Sequence, residues 1–336
     1  MKLATLANAS PDGQLVVVSA DLTRYASAGG VAPHLQAALD QWDVAAPKLA
    51  ELYRRLNEGD IAGKPFEPEA ARAPLPRAYQ WIDGAGYLSH LERVRTAKGS
   101  KDAELQDQRP LMYQGASDSL AGPRDNIILP EDNLAPDFEA EIAVITGPVP
   151  MGVDHETAAA SIRLITICND VSFRRLVADD LQGGFGFFHA KPATSFAPIV
   201  ATPDEFGDAW SSSRLHLKIK SFVNGTLYGQ PNAGADVAFD FADLIVAAAR
   251  TRELGCGTII GSGTVANAHD NLLPVRGEEP GFSCIVEART AEKLVKGKAS
   301  TPFLKAGDRV HILLEDESGN SPVGDINQMV VAHGAE

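Results

Sequence analysis

An α+β fold dominated by β structure is what this sequence predicts, and three observations carry that reading. Apolar runs of strand length recur along most of the chain, at residues 138–146, 164–168, 215–223, 258–261, 283–287 and 309–314. Turn signals such as Asn224-Gly225 and Gly307-Asp308 punctuate them. Helical periodicity is scarcer, and neither the dinucleotide-binding glycine fingerprint nor the P-loop of nucleotide-binding α/β proteins occurs; Gly183-Gly184-Phe185-Gly186 fits neither spacing.

In chain order, residues 1–75 read as a small αβ unit. Two apolar runs, 3–6 and 15–19, flank Ser10-Pro11-Asp12-Gly13, a hairpin-type turn. Leu35, Ala38, Leu39, Trp42, Leu49, Leu52, Tyr53 and Leu56 then recur at helical spacing, and Pro47 is expected to split them into two helices. Prolines 65, 68, 74 and 76 mark a linker over 63–76. The remaining chain, 76–334, carries the strands above and two further helical patterns, 155–162 and 239–251.

Composition narrows the function classes. Of 336 residues, 44% are hydrophobic and 22% charged, an ordinary globular balance. The net charge of −14 disfavours nucleic acid and anionic membranes as partners. No apolar run approaches the roughly 18–20 residues of a membrane span, and the N-terminus lacks a signal-peptide core, so a cytoplasmic protein is expected. Three cysteines without CxxC spacing argue against a disulfide scaffold or a zinc ribbon; Cys168, Cys256 and Cys284 read as buried core thiols.

The chemistry concentrates in acids set within apolar runs. In Pro136-Asp137-Phe138-Glu139-Ala140-Glu141-Ile142-Ala143-Val144, a strand places Glu139 and Glu141 on one face, with Cα atoms roughly 6.5–7 Å apart. Two like charges on a buried face repel, and a hard divalent cation removes that cost; a solvated acidic edge is the alternative. The run 164–168 ends in Asn169-Asp170, so Asp170 either closes the metal site or caps a following helix. Lys191, after Phe185-Gly186-Phe187-Phe188-His189-Ala190, either binds an anionic substrate or snorkels to the surface.

This order of an ExE strand, a strand ending in Asn-Asp and a following lysine resembles the fumarylacetoacetate hydrolase family, over about residues 77–331. The resemblance implies that family's mixed β-sandwich roll, with residues 1–75 similar to the extra N-terminal domain of longer bacterial members. It implies Glu139, Glu141 and Asp170 as metal ligands, Lys191 as the active-site lysine, and Ser262-Gly263-Thr264 as the turn whose threonine faces substrate. Asp83, seven residues before His90, matches a fourth ligand, and His90 the catalytic histidine. Arg174 matches a substrate-binding arginine, Tyr113 a tyrosine of a substrate loop, and Glu287 the glutamate that orients the histidine, one residue out of register. Val177 stands where fumarylacetoacetate-cleaving enzymes carry a glutamine.

The implied activity is hydrolysis of a C–C bond in a β-diketo acid of the fumarylacetoacetate or acylpyruvate type, as in aromatic amino-acid catabolism. Mg²⁺ is the expected cofactor, with Mn²⁺ or Ca²⁺ equally compatible with oxygen ligands. A homodimer is expected on the same ground. The same site chemistry serves oxaloacetate decarboxylation, 2-oxo-4-pentenoate hydration and hydroxymuconate isomerisation, and a non-catalytic scaffold is the reading from a different class. His34, His269 and His311 read as structural or surface residues, and the charged stretch 92–109 as solvated helix and loop.

Overall fold

The structure, a computed structural model, describes residues 1–89, 109–268 and 280–334. The β-dominated α+β architecture is present as two large sheets. The larger has eleven strands. From Lys2–Leu6 to one edge it runs in the order Lys2–Leu6, Val200–Ala201, Ile162–Asn169, Ala140–Thr146, Ile259–Gly261, Trp81–Gly84 and Met112–Gly115. The second has five, with Lys218–Val223, Arg309–Glu315 and Asp325–Ala332 at its middle. Pairing is antiparallel except between Ile259–Gly261 and Trp81–Gly84 and between Asp325–Ala332 and Ile127–Leu129.

Apart from Glu141 and Thr146, the strand Ala140–Thr146 is apolar on both faces because it packs on both. Ile142 and Val144 join a core shared with Ile219, Ile312 and Ile326, while Ala143 and Ile145 join another with Leu3, Leu49, Trp81 and Phe196. Alternating side chains thus feed two cores, and a one-residue slip would exchange them. Asn224 (φ 52°) and Gly225 (φ 76°) form the tight turn between Lys218–Val223 and Thr226–Gly229, with the two left-handed residues that such a hairpin requires.

Several expectations are corrected. The helical stretch breaks at Asp40-Gln41, between Leu35–Leu39 and Trp42–Glu58, and Pro47 lies inside the second helix. Asp43, whose carbonyl loses the Pro47 donor, is exposed, so water can take that place. Residues 63–76 are not a free linker: Lys64–Pro65 pairs with Arg24–Ser27, the Thr5 hydroxyl donates to the Pro74 carbonyl at 2.6 Å, and Ala73 and Leu75 are buried. The N-terminal hairpin continues the large sheet, since Lys2–Leu6 pairs with Val200–Ala201. Cys168 and Cys284 are buried, but Cys256 is only partly so. His34 caps the helix Leu35–Leu39, and His311 sits 2.9 Å from Asp325.

Residues 283–287 are not a strand. Cys284 precedes a helix, Ile285–Lys296, that buries Ile285, Ala288 and Ala291 on one face and ends on Gly297 in the left-handed region. A five-residue apolar run is ambiguous between strand and helix, and the twelve-residue periodicity beyond it decided the outcome. No helix among the described residues is long and apolar enough to cross a membrane.

Candidate metal and active site

Four successive strands of the large sheet, Ile162–Asn169, Ala140–Thr146, Ile259–Gly261 and Trp81–Gly84, bring three acids together. Glu141 pairs with Cys168, two residues before Asp170, and Asp83 pairs with Gly261, which in turn pairs with Ala143. Paired and alternate residues share a face, so Asp83, Glu141 and Asp170 converge, with one oxygen from each lying within 4.8 Å of the others. Gly261 lies between them. A Cβ there would fall 2.7 Å from Asp83 Oδ1, 3.0 Å from Glu141 Oε2 and 2.4 Å from the Trp81 ring. Glycine is required because carboxylates from both sides lean across it.

The surroundings treat the three acids differently. Asp170, fully buried, accepts hydrogen bonds from Tyr113 Oη (2.5 Å), Lys191 Nζ (2.5 Å) and Thr194 Oγ1 (2.7 Å). Asp83, partly buried, accepts from the Gly263 amide at 3.0 Å, which ties the Ser262-Gly263-Thr264 turn to the cluster. Glu141 is fully buried, and among the described residues no donor reaches either of its oxygens. Burial and then Asp83 and Asp170 push its pKa well above the usual range; burial, followed by Asp170, pushes Asp83 up to about 7. A buried carboxylate without donors, among two more carboxylates, suits a hard divalent cation bound by oxygen. The donor set fits such an ion.

Glu139 stands beside this trio and is engaged by two cations. It lies just before the strand Ala140–Thr146 and bridges to Cys284. Arg174 donates to Oε1 at 2.5 Å and Lys191 to Oε2 at 2.7 Å, while the Asn169 side chain accepts from the Glu139 amide at 3.0 Å. The Lys191 ammonium therefore spans Glu139 and Asp170, with a third, longer contact to the Asp170 carbonyl at 3.2 Å. Burial works against its charge, but Asp170 and Glu139 outweigh it and hold the lysine protonated. Lys191 is buried and does not snorkel.

The other expected residues are distributed around a cavity of about 390 Å³, whose lining includes Asp83, Tyr113, Glu139, Arg174, Lys191 and Thr264. Tyr113 lies on the strand Met112–Gly115, not a loop; its hydroxyl is committed to Asp170, and burial, then Asp170, raise its pKa. Glu287 is fully buried in the first turn of Ile285–Lys296, not on an exposed strand. Tyr87 is buried and donates to the Ala233 carbonyl at 2.6 Å. His90 lies outside the described residues, as do His269 and residues 92–108 of the charged stretch.

Sequence reasoning missed Asp137. Fully buried, it accepts from the Ile285 and Val286 amides at 2.6 and 2.8 Å and from Arg174 Nε at 2.9 Å. It thus fixes both the helix that carries Glu287 and the arginine that holds Glu139. The signal was an acid two positions before Glu139 in an apolar run. Thr194 and Gly261 were missed as well, and a lone threonine or glycine carries no such signal.

Comparison with known proteins identifies the relatives of this arrangement. A family model described as Fumarylacetoacetate (FAA) hydrolase C-terminal matches residues 80–331, and one described as Fumarylacetoacetase N-terminal domain 2 matches residues 1–77. The chain is 30% identical over 168 residues to a 2,4-didehydro-3-deoxy-L-rhamnonate hydrolase of Sphingomonas sp. (strain SKA58), covering 49% of this chain and 56% of that protein. It is 28% identical over 198 residues to a mitochondrial oxaloacetate tautomerase of Rattus norvegicus, covering 57% of each. The matched segment thus spans little more than half the length of each of these two relatives. Among solved structures, maleylpyruvate hydrolase from Sphingobium sp. SYK-6 in complex with manganese(II) ion and pyruvate superposes with a TM-score of 0.64 at 18% identity, covering 99% of both chains. Fumarylacetoacetate hydrolase from psychrophilic Exiguobacterium antarcticum gives 0.65 at 18%, covering 99% of this chain and 100% of that one. These likenesses show the fold.

Proposed function

Because the chain belongs to the fumarylacetoacetate hydrolase family, we propose that it is a divalent-metal-dependent enzyme that hydrolyses a C–C bond in a β-diketo acid of the fumarylacetoacetate or acylpyruvate type. The observation that carries this reading is the buried cluster of Asp83, Glu141 and Asp170, in which Glu141 meets no donor among the described residues. These three would hold the ion, Mg²⁺ in the first instance, and Glu139, now bonded to Arg174 and Lys191, would join as a fourth ligand by turning an oxygen toward it. A divalent cation held there would supply Lewis-acid stabilisation of the negative charge that builds on a ketone oxygen as the bond breaks.

The chain's own groups do the rest. Tyr113 and Thr194 fix the Asp170 carboxylate, and Arg174 and Lys191 fix Glu139. Lys191 keeps a positive charge at the cavity floor. Thr264 lines the cavity next to Gly263, whose amide holds Asp83. His90 takes a proton from the attacking water, and Glu287 orients it. The water oxygen bonds to the distal carbonyl carbon, and the bond from that carbon to the central methylene breaks. The departing enolate takes up a proton, leaving a carboxylic acid and either a 2-oxo acid, from an acylpyruvate, or a 3-oxo acid, from fumarylacetoacetate. We also propose a homodimer, which sedimentation showing a monomer at micromolar concentration would contradict.

The test is acetylpyruvate and oxaloacetate assayed in parallel with Mg²⁺ or Mn²⁺. Release of acetate and pyruvate, abolished by EDTA, is expected. A second reading has support from the tautomerase relative: isomerisation or decarboxylation of oxaloacetate, or the related hydratase and isomerase reactions, on the same site. Oxaloacetate turnover without acetylpyruvate cleavage would favour it. Metal binding without stability or turnover effects would return a scaffold.

A further inference from the structure

The cavity has a charged floor and an apolar wall. Arg174 and Lys191 are the cations that line it among the described residues, and each is already committed. Arg174 is bound by Asp137 and Glu139, while the three contacts of Lys191 go to Glu139 and Asp170. Away from this floor, the helix Val177–Gln182 turns Val177 and Leu181, four residues apart on one face, toward the cavity. Leu111 lines it too. Phe187 joins wall to floor, its ring edge-on to Tyr113 at 5.2 Å and 6.0 Å from Lys191 Nζ. The helix is held in place because Asp180 accepts from the Phe188 and Ala190 amides, both at 2.8 Å. Leu181 and Leu111 are nonetheless 48% and 43% exposed, apolar surface that a substrate tail would cover.

We propose that this site selects monocarboxylic 2-oxo or 2,4-dioxo acids with an apolar acyl tail, and that Val177 and Leu181 form the wall that refuses a second carboxylate. The inference rests on the reading above and narrows it to the acylpyruvate type, since fumarylacetoacetate carries two carboxylates. A terminal methyl or longer alkyl group lies on the wall and gains from leaving water. A terminal carboxylate placed there loses hydration and meets no cation that is not already paired among the described residues.

The test measures binding as well as turnover. With Mn²⁺ present, calorimetry on the full chain compares 2-oxobutanoate, 2-oxohexanoate and 2-oxooctanoate, and then 2-oxohexanoate against 2-oxoadipate. Affinity should rise by about fourfold per added methylene along the series, and 2-oxoadipate should bind at least about tenfold more weakly than 2-oxohexanoate. Leu181→Lys, at a half-exposed position that tolerates a charge without unfolding, should flatten the series and narrow that gap. Equal or tighter binding of the dicarboxylate, no chain-length dependence, no binding of any member, or an unchanged Leu181→Lys would each overturn the proposal. An intact binding series with no 2,4-dioxo acid cleaved would reject the hydrolase reading and leave the wall standing. Cleavage with a flat series would do the reverse.

Discussion

Replacing Glu141 by glutamine should make the metal-free protein more stable and the metal-loaded protein less so. The side chain is fully buried, no donor among the described residues reaches it, and Asp83 and Asp170 place oxygens within 4.8 Å. At that separation and an effective dielectric of about 20, each like-charged pair costs roughly 3.5 kcal/mol. Taking up a proton instead costs an ordinary glutamate at pH 7 about 3.7 kcal/mol, from about 2.7 pH units at 1.36 kcal/mol each. That cost caps the penalty Glu141 imposes without metal, and an amide that still lacks partners returns part of it. A net gain of about 1–3 kcal/mol is expected for Glu141→Gln. With an unfolding entropy near 2.1 cal/mol/K per residue, the 336-residue chain changes Tm by about 1.4 °C per kcal/mol, so the gain reads as roughly 1–4 °C. Manganese at a thousand times its Kd should stabilise the native sequence by about 4.1 kcal/mol, or about 6 °C, and the variant by almost nothing. Scanning calorimetry of both proteins in EDTA and in Mn²⁺ should therefore show their order invert. A native protein at least as stable as the variant in EDTA, or equal stabilisation of both by manganese, would refute the ligand assignment.

Gly261→Ala should cost about 1–3 kcal/mol and at least tenfold in Mn²⁺ affinity, since its Cβ would meet Trp81, Asp83 and Glu141; Gly255→Ala, with open space around it, is the control for both measurements. His90→Ala should lower acylpyruvate hydrolysis by about 10²–10⁴ with metal affinity unchanged in calorimetry, whereas a structural histidine would lower stability and leave turnover per folded molecule intact. Glu292 accepts from the Ser300 and Thr301 amides at 2.6 and 2.9 Å, and these bonds outweigh its burial to hold its pKa at about 2. Its contribution, about 1–3 kcal/mol, is present above pH 4.5 and lost as pH falls toward 2. Denaturant titrations of Glu292→Gln should show the variant weaker at pH 7, with the difference closing on acidification.

What the sequence determined by itself was the family resemblance and, with it, the acids that could matter. Glu139, Glu141 and Asp170 stand out because charged residues inside apolar runs are expensive, and that expense is visible in one dimension. The strands around Ile142 and Ile167 and the Asn224-Gly225 turn were legible because strand length and left-handed turn residues are local properties. Tertiary structure alone decided which acids meet. Strand order places Asp83 beside Glu141 across Gly261, and the committed bonds of Arg174 and Lys191 set Glu139 against two cations. It also supplied the partner for the start of the helix 285–296, where Asp137, almost 150 residues upstream, accepts the first amides. Pairing between strands distant in the chain has no local signature. The glycine that makes room for two carboxylates, and the aspartate that ties a helix to an arginine, therefore become recognisable only once the sheet is assembled.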